Sequence, residues 1–267
     1  MTQVYTVPAA NMICMAVAAM AGLILPAVLY FIVRKVWGGK KLSFFIGCAV
    51  MFLFAFTLEQ LLHAAVLYSP IGETITGNIF LYALYGGFAA GIFEETGRFV
   101  AFSTILKRTR DDDANALMYG AGHGGFEAFY ILTVSMVSNL VISFMLNHGM
   151  LDILMQDVTA DVLPTVEATF SALVNTPAPT FLVSIVERIS AICAHLGMSV
   201  LVWFAAKNKK FYLYPLSILC HAGLNIVSVL VNSVAPIWVT ELSIFLCAML
   251  IAAIARGVWQ RYKAITE

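Results

Sequence analysis

Residues 9–33 read AANMICMAVAAMAGLILPAVLYFIV, without one charged side chain, and run directly into Arg34-Lys35 and then Gly38-Gly39-Lys40-Lys41. A bilayer core about 30 Å thick takes about 20 apolar residues per helix, so this stretch predicts a membrane-spanning helix closed by a basic loop. No Lys or Arg precedes residue 34, and the apolar run outlasts the h-region of a signal peptide, so the segment is expected to stay as a first span. Six more stretches have the same character: approximately 42–66, 78–106, 114–146, 180–206, 211–233 and 236–258. The composition agrees, with 61% apolar and 11% charged residues and a mean hydropathy of +0.90. A soluble domain carries about a quarter charged residues.

The loops orient the chain. Arg34, Lys35, Lys40 and Lys41 fill the first, Lys107, Arg108 and Arg110 the third, and Lys207, Lys209 and Lys210 the fifth, while Arg256, Arg261 and Lys263 mark the tail. The alternate loops, around 67–77, 147–179 and 233–236, hold no Lys or Arg. Basic residues accumulate on the cytoplasmic side, so the expectation is an all-α, polytopic, seven-transmembrane-helix bundle, N-out and C-in, forming a single membrane domain over 1–267. A multi-pass place in the cell membrane follows. Fifteen basic residues balance fifteen acidic ones, leaving no positive field for nucleic acid. Five cysteines without a C-x-x-C pair offer neither a disulfide framework nor a thiolate metal site. Residues 147–179 are long for a turn, and Leu151, Leu154, Met155, Val158 and Val162 recur at helical spacing, which suggests an amphipathic helix on the outer face, as tether or lid. Span four holds Gly120, Gly122, Gly124 and Gly125, where a break or a close helix contact is expected.

Inside the spans stand Glu59, Glu94, Glu95, Arg98, Glu127, Glu187 and Arg188, with His63, His123, His195 and His221. A charge at a helix centre costs at least about 2.5–3.5 kcal/mol, so these groups need partners or a task. At about 1.5 Å per residue from the basic loops, Glu94 and Glu95 lie about 18–20 Å deep, His123 about 15 Å, Glu127 about 21 Å, His195 about 18 Å, His221 about 16 Å and Asn225 about 22 Å. Four helices thus bring carboxylates, imidazoles and an amide to one layer. Glu94 with Arg98, His123 with Glu127, His195 with Ser199 and His221 with Asn225 each share a helix face at i,i+4. Glu59 with His63, and Glu187 with Arg188, fall nearer the outer edge and read as structural pairs, Arg98 and Arg188 serving as counter-ions to Glu94 or Glu95 and to Glu187.

Such a layer suits water activation. Glu94 or Glu95 would act as base with His123, while His221 and Asn225 would stabilise an oxyanion. A zinc site using His123, His195, His221 and a glutamate such as Glu94 is the second option, although H-E-x-x-H is absent, which favours the metal-free chemistry. Every Asp lies in a loop, excluding an aspartyl dyad, and Gly197-Met198-Ser199 is a weak basis for a serine mechanism. Buried Glu and His also mark proton pathways, so a proton-coupled transporter or channel is the alternative, and a non-catalytic membrane scaffold a third.

The segments Glu94-Glu95-Thr96-Gly97-Arg98, Gly120-Ala121-Gly122-His123-Gly124-Gly125-Phe126-Glu127, Glu187-Arg188 with His195, and His221-Ala222-Gly223-Leu224-Asn225 resemble the YhfC family of bacterial membrane peptidases. That family is grouped with the CAAX prenyl endopeptidase and bacteriocin-processing enzymes, the PrsW-type proteases and the anterior-pharynx-defective subunit of γ-secretase. The CAAX-type pattern is E-E-x-x-x-R, F-x-x-x-H and H-x-x-x-N. The resemblance implies Glu94, Glu95, His123, His221 and Asn225 as catalytic, with Arg98, Glu127, His195, Glu187 and Arg188 in support. It further implies proteolysis of a membrane-protein or lipidated-peptide substrate. The first motif is one residue shorter here, and Tyr119 stands in place of the Phe. The pair His195 and His221 is similar to that of the γ-secretase subunit, a scaffold.

Overall fold

The computed structural model describes residues 5–263, which are helical with no strand among them. The helices are α1 (Ala9–Val36), α2 (Lys41–Leu67), α3 (Pro70–Thr76), α4 (Ile79–Ser103), α5 (Ala114–Asn147), α6 (Leu151–Met155), α7 (Leu163–Asn175), α8 (Ala178–Lys207), α9 (Leu213–Val234) and α10 (Ile237–Lys263). Lipid offers backbone groups no hydrogen-bond partner, so spanning segments must satisfy them internally. Six helices are each long and apolar enough to cross a membrane, α1, α2, α5, α8, α9 and α10. The count is seven if α3 and α4, bent by 108° at their junction, form one span. Asn78 sits at that bend and caps α4, its side-chain oxygen accepting from the backbone N–H of Phe80 and Leu81 at 3.0 and 3.2 Å. The chain is therefore an all-α polytopic membrane protein.

Two compact units divide the chain: Met1–Leu25 with Ala128–Val186, and Pro26–Glu127 with Glu187–Glu267. In the first, Met15, Leu146, Phe170 and Leu173 form a core, and Asn11 donates to the carbonyls of Leu173 and Thr176, both at 2.9 Å. The segment 147–179 departs from the single amphipathic helix expected over Leu151–Val162. It forms the short α6 and the separate α7, because residues 156–162 turn and Pro164 opens a new helix. Its buried apolar side chains are Phe170 and Leu173, later in the chain than the stripe read from the sequence.

The second unit packs helix on helix at glycines, as membrane helices do where small residues let backbones approach. A Cβ on Gly87 would sit 2.8 Å from the Ala222 carbonyl, and one on Gly91 2.9 Å from the Ile218 carbonyl, so α4 lies directly on α9. Gly122 of α5 abuts the Phe44 carbonyl of α2, Gly47 of α2 abuts the Tyr119 carbonyl, and Gly120 and Gly124 lie on Leu196 and His195 of α8. The glycines of span four serve close helix contact. The helix deviation in that span lies beyond them, a π-helical turn at Phe129–Val134, and α2 has another at Phe54–Glu59.

Candidate active site

The glycine contacts bring one polar stretch from each of α4, α5, α8 and α9 together within the second unit. α4 contributes Glu94, Glu95 and Arg98, α5 His123 and Glu127, α8 Glu187, Arg188 and His195, and α9 His221 and Asn225. Glu94, Glu95, Arg98, His123, His195 and His221 are all buried.

The two adjacent glutamates have different surroundings. Glu95 is saturated: Arg98 Nη1 pairs with its Oε1, His221 Nδ1 lies 2.9 Å from the same oxygen, and Ser217 Oγ donates to its Oε2 at 2.6 Å. Glu94 Oε2 lies 2.9 Å from His123 Nε2 and 3.9 Å from His195 Nδ1, whereas its Oε1 has His221 Nε2 only at 3.7 Å. Spacing left the partner of Arg98 open between the two, and it is Glu95, one turn back at i,i+3.

Tautomers follow from these partners, since a carboxylate can only accept from a ring. His221 Nδ1–H donates to Glu95, leaving Nε2 turned to Glu94. His195 Nε2–H donates to Glu127 Oε2 at 2.9 Å, leaving Nδ1 to accept from Arg98 Nη2 at 3.1 Å. Glu127 Oε1 also meets Arg188 Nη1 at 2.8 Å, and Arg188 Nη2 meets Glu187 at 2.5 Å. The Glu187 and Arg188 pair was set apart by depth along the helix. The long Arg188 side chain closes that offset and joins the pair to the central network.

A cavity of about 80 Å³ opens among Glu94, Glu127, Arg188, His195, His221 and Asn225. That is room for about two or three waters or one hydrated ion. Glu95, Arg98 and His123 do not line it and reach it through their partners. Sequence reasoning missed Ser217 and Ser228. Ser217 stands four residues before His221, the same i,i+4 signal that marked Asn225, and Ser228 lines the cavity beside Asn225. Tyr119 stacks on His123 with ring centroids 5.7 Å apart. Ser199 Oγ faces Gly120 rather than a base and has no hydrogen-bond partner, which leaves the Gly197-Met198-Ser199 motif without a serine mechanism.

One donor atom each from Glu94, His123 and His195 lies within 4.8 Å of the others. Tetrahedral zinc with bonds of about 2.0–2.1 Å holds its ligand atoms about 3.3 Å apart, so the spacing suits such an ion. A further feature fits. His195 gives its other nitrogen to Glu127, the arrangement that orients a metal-binding imidazole.

Fold and site together define an all-helical, multi-pass membrane protein with a Glu/His cluster of metal-binding type in its interior. The chain belongs to the YhfC intramembrane metalloprotease family, whose profile matches residues 21–244. It is similar to "Uncharacterized membrane protein YhfC" of Bacillus subtilis (strain 168), 36% identical over 219 residues that cover 81% of this chain and 83% of that protein. No solved structure matches it.

Proposed function

We propose that this protein is an intramembrane endopeptidase of the cell membrane, oriented N-out and C-in, that hydrolyses a peptide bond of a membrane-embedded substrate. The observation that carries this reading is the asymmetry between neighbours: Glu95 has every oxygen occupied, while Glu94 presents Oε1 to a water-sized cavity beside His221 and Asn225. Glu94 Oε1 holds the attacking water and takes its proton as the water oxygen bonds to the carbonyl carbon, then passes that proton to the leaving amine. His221 and Asn225 donate to the developing oxyanion. For that task His221 must donate from Nε2 while Nδ1–H stays on Glu95, so the imidazolium form is the competent one. His123 fixes the other Glu94 oxygen. Arg98 holds Glu95, and Arg188 holds Glu127, so the groups orienting His221 and His195 are themselves anchored.

Glu94, His123 and His195 would hold a zinc-type cation, which lowers the pKa of a water and polarises a carbonyl when bound. His195 Nδ1 would exchange its bond from Arg98 for the ion, while Arg98 keeps Glu95. The absence of H-E-x-x-H carries little weight against such a site, since the donors come from three helices. The full-length protein in proteoliposomes, incubated with a library of single-span peptides, should cut within the apolar segment. Glu94→Gln should lower the rate by about 10²–10⁴-fold. Metal analysis of the purified protein should find about one zinc per chain, lost in His195→Ala. Undiminished cleavage by Glu94→Gln would overturn the proposal.

A further inference from the structure

One polar cluster takes no part in this chemistry. Glu59, the last residue of the π-helical turn of α2, is buried, with Oε1 3.2 Å from His63 Nε2, and His63 Nδ1 lies 2.9 Å from the Tyr85 hydroxyl of α4. With Nε2–H donating to the carboxylate, Nδ1 accepts from Tyr85, so tyrosine and histidine together orient Glu59. All three line a groove of about 430 Å³ between α2, α4 and α9. Among the described residues, no Lys or Arg lines it.

Two features tie this groove to the active site. Asn225 and Ser228 line both it and the cavity that holds Glu94, so an extended chain lying in the groove continues toward the reacting atoms. The groove also stays open where no packing demands it. Gly87 is pressed onto the Ala222 carbonyl, but a Cβ on Gly86, in the groove wall, would meet nothing within 4 Å. The missing side chain at Gly86 leaves space for an occupant and does nothing for helix contact.

We propose that this groove is the substrate subsite adjoining the scissile bond, and that Glu59 there selects a Lys or Arg side chain of the substrate's membrane segment. The inference rests on the endopeptidase reading above. A carboxylate in a low-dielectric groove without a cation is completed by a ligand that brings one, since the ammonium of the ligand and the carboxylate then form a charge-assisted pair. A peptide suits the place better than a lipid amine, because the groove leads into the cavity. His63 and Tyr85 act as positioning residues for Glu59.

The test separates binding from cleavage. Full-length Glu94→Gln protein in phosphatidylcholine vesicles is titrated with fluorescent single-span Leu/Ala peptides, each carrying one Lys at a different position, against the same peptides with Gln. At one register the Lys peptide should bind about tenfold tighter. Adding Glu59→Gln should bring the two peptides level, adding Glu59→Lys should transfer the preference to a Glu peptide, and adding Gly86→Leu should weaken every peptide. The Glu59→Lys variant with its Glu peptide also reports folding, since a misfolded protein could not acquire the reversed preference. Equal binding of Lys and Gln peptides at every register, or a Lys preference that survives Glu59→Gln, would overturn the assignment. Loss of the preference in phosphatidylethanolamine vesicles would also overturn it, since the groove would then hold a lipid amine. Cleavage by the wild-type protein is read separately. A Lys peptide bound through Glu59 but never cut would sink the endopeptidase reading and leave the groove as a binding site only, whereas cleavage indifferent to Lys would sink the subsite alone.

Discussion

Glu94 and Glu95 are chemically identical neighbours on one helix, and what separates them is their partners. Glu95 is the anion that keeps Arg98 charged in a dry interior, and Arg98 has no exposure at all. Glu95→Gln would strand that guanidinium, and removing one member of a buried pair costs about 3–5 kcal/mol. Glu94→Gln removes a carboxylate whose neighbours are imidazoles, which can change tautomer or lose a proton to suit an amide. The expected outcome is therefore a split. Glu95→Gln should lower the thermal midpoint and the yield of folded protein, while Glu94→Gln should keep both and lose cleavage. Thermal unfolding in detergent alongside a peptide-cleavage assay reads both quantities. A stable, folded Glu95→Gln protein would contradict the role given to Glu95. Arg98→Ala, which strands Glu95 from the other side, should behave like Glu95→Gln.

At the scale of the helix, glycines decide how near the functional side chains come. Gly122 sits against the Phe44 carbonyl, an atom that cannot rotate aside, one residue before His123. Gly122→Ala should force α2 and α5 apart at a cost of about 1–3 kcal/mol. Gly257 in α10 offers the opposite case, since a Cβ there meets nothing within 4 Å. Gly257→Ala should be neutral or stabilise by up to about 1 kcal/mol through helix propensity alone. Unfolding midpoints of the two variants give the comparison, and equal effects would refute the close-contact argument. The π-helical turn Phe54–Glu59 belongs to this scale too, since it ends on Glu59, whose carboxylate meets His63 one turn on.

For the whole molecule, the basic loops make a topological prediction. With Lys and Arg inside, Asp157→Cys in the 147–179 segment should react with a membrane-impermeant maleimide on intact cells, and Lys210→Cys only after permeabilisation. Reversed labelling would invert the orientation. The native cysteines, all half-buried within the helices, provide the background against which that labelling is measured.

The sequence by itself determined the all-helical membrane architecture, because a bilayer demands long apolar runs and loop charges punctuate them. Counting residues from those loops also drew Glu94, His123, His195, His221 and Asn225 to one depth, because helix rise is nearly constant. Depth is one coordinate of three, however. Rotation about each helix axis and the distance between axes depend on which small residues meet which backbone, and no single-helix pattern contains that. Only the tertiary structure gave Arg98 to Glu95 instead of Glu94, drew Arg188 into the network through Glu127, and gathered metal-ligand atoms from three helices where no linear motif exists. The apolar stripe Leu151–Val162 predicts one amphipathic helix, yet the chain turns after Met155, for a related reason: apolar spacing within a loop does not reveal where the chain turns.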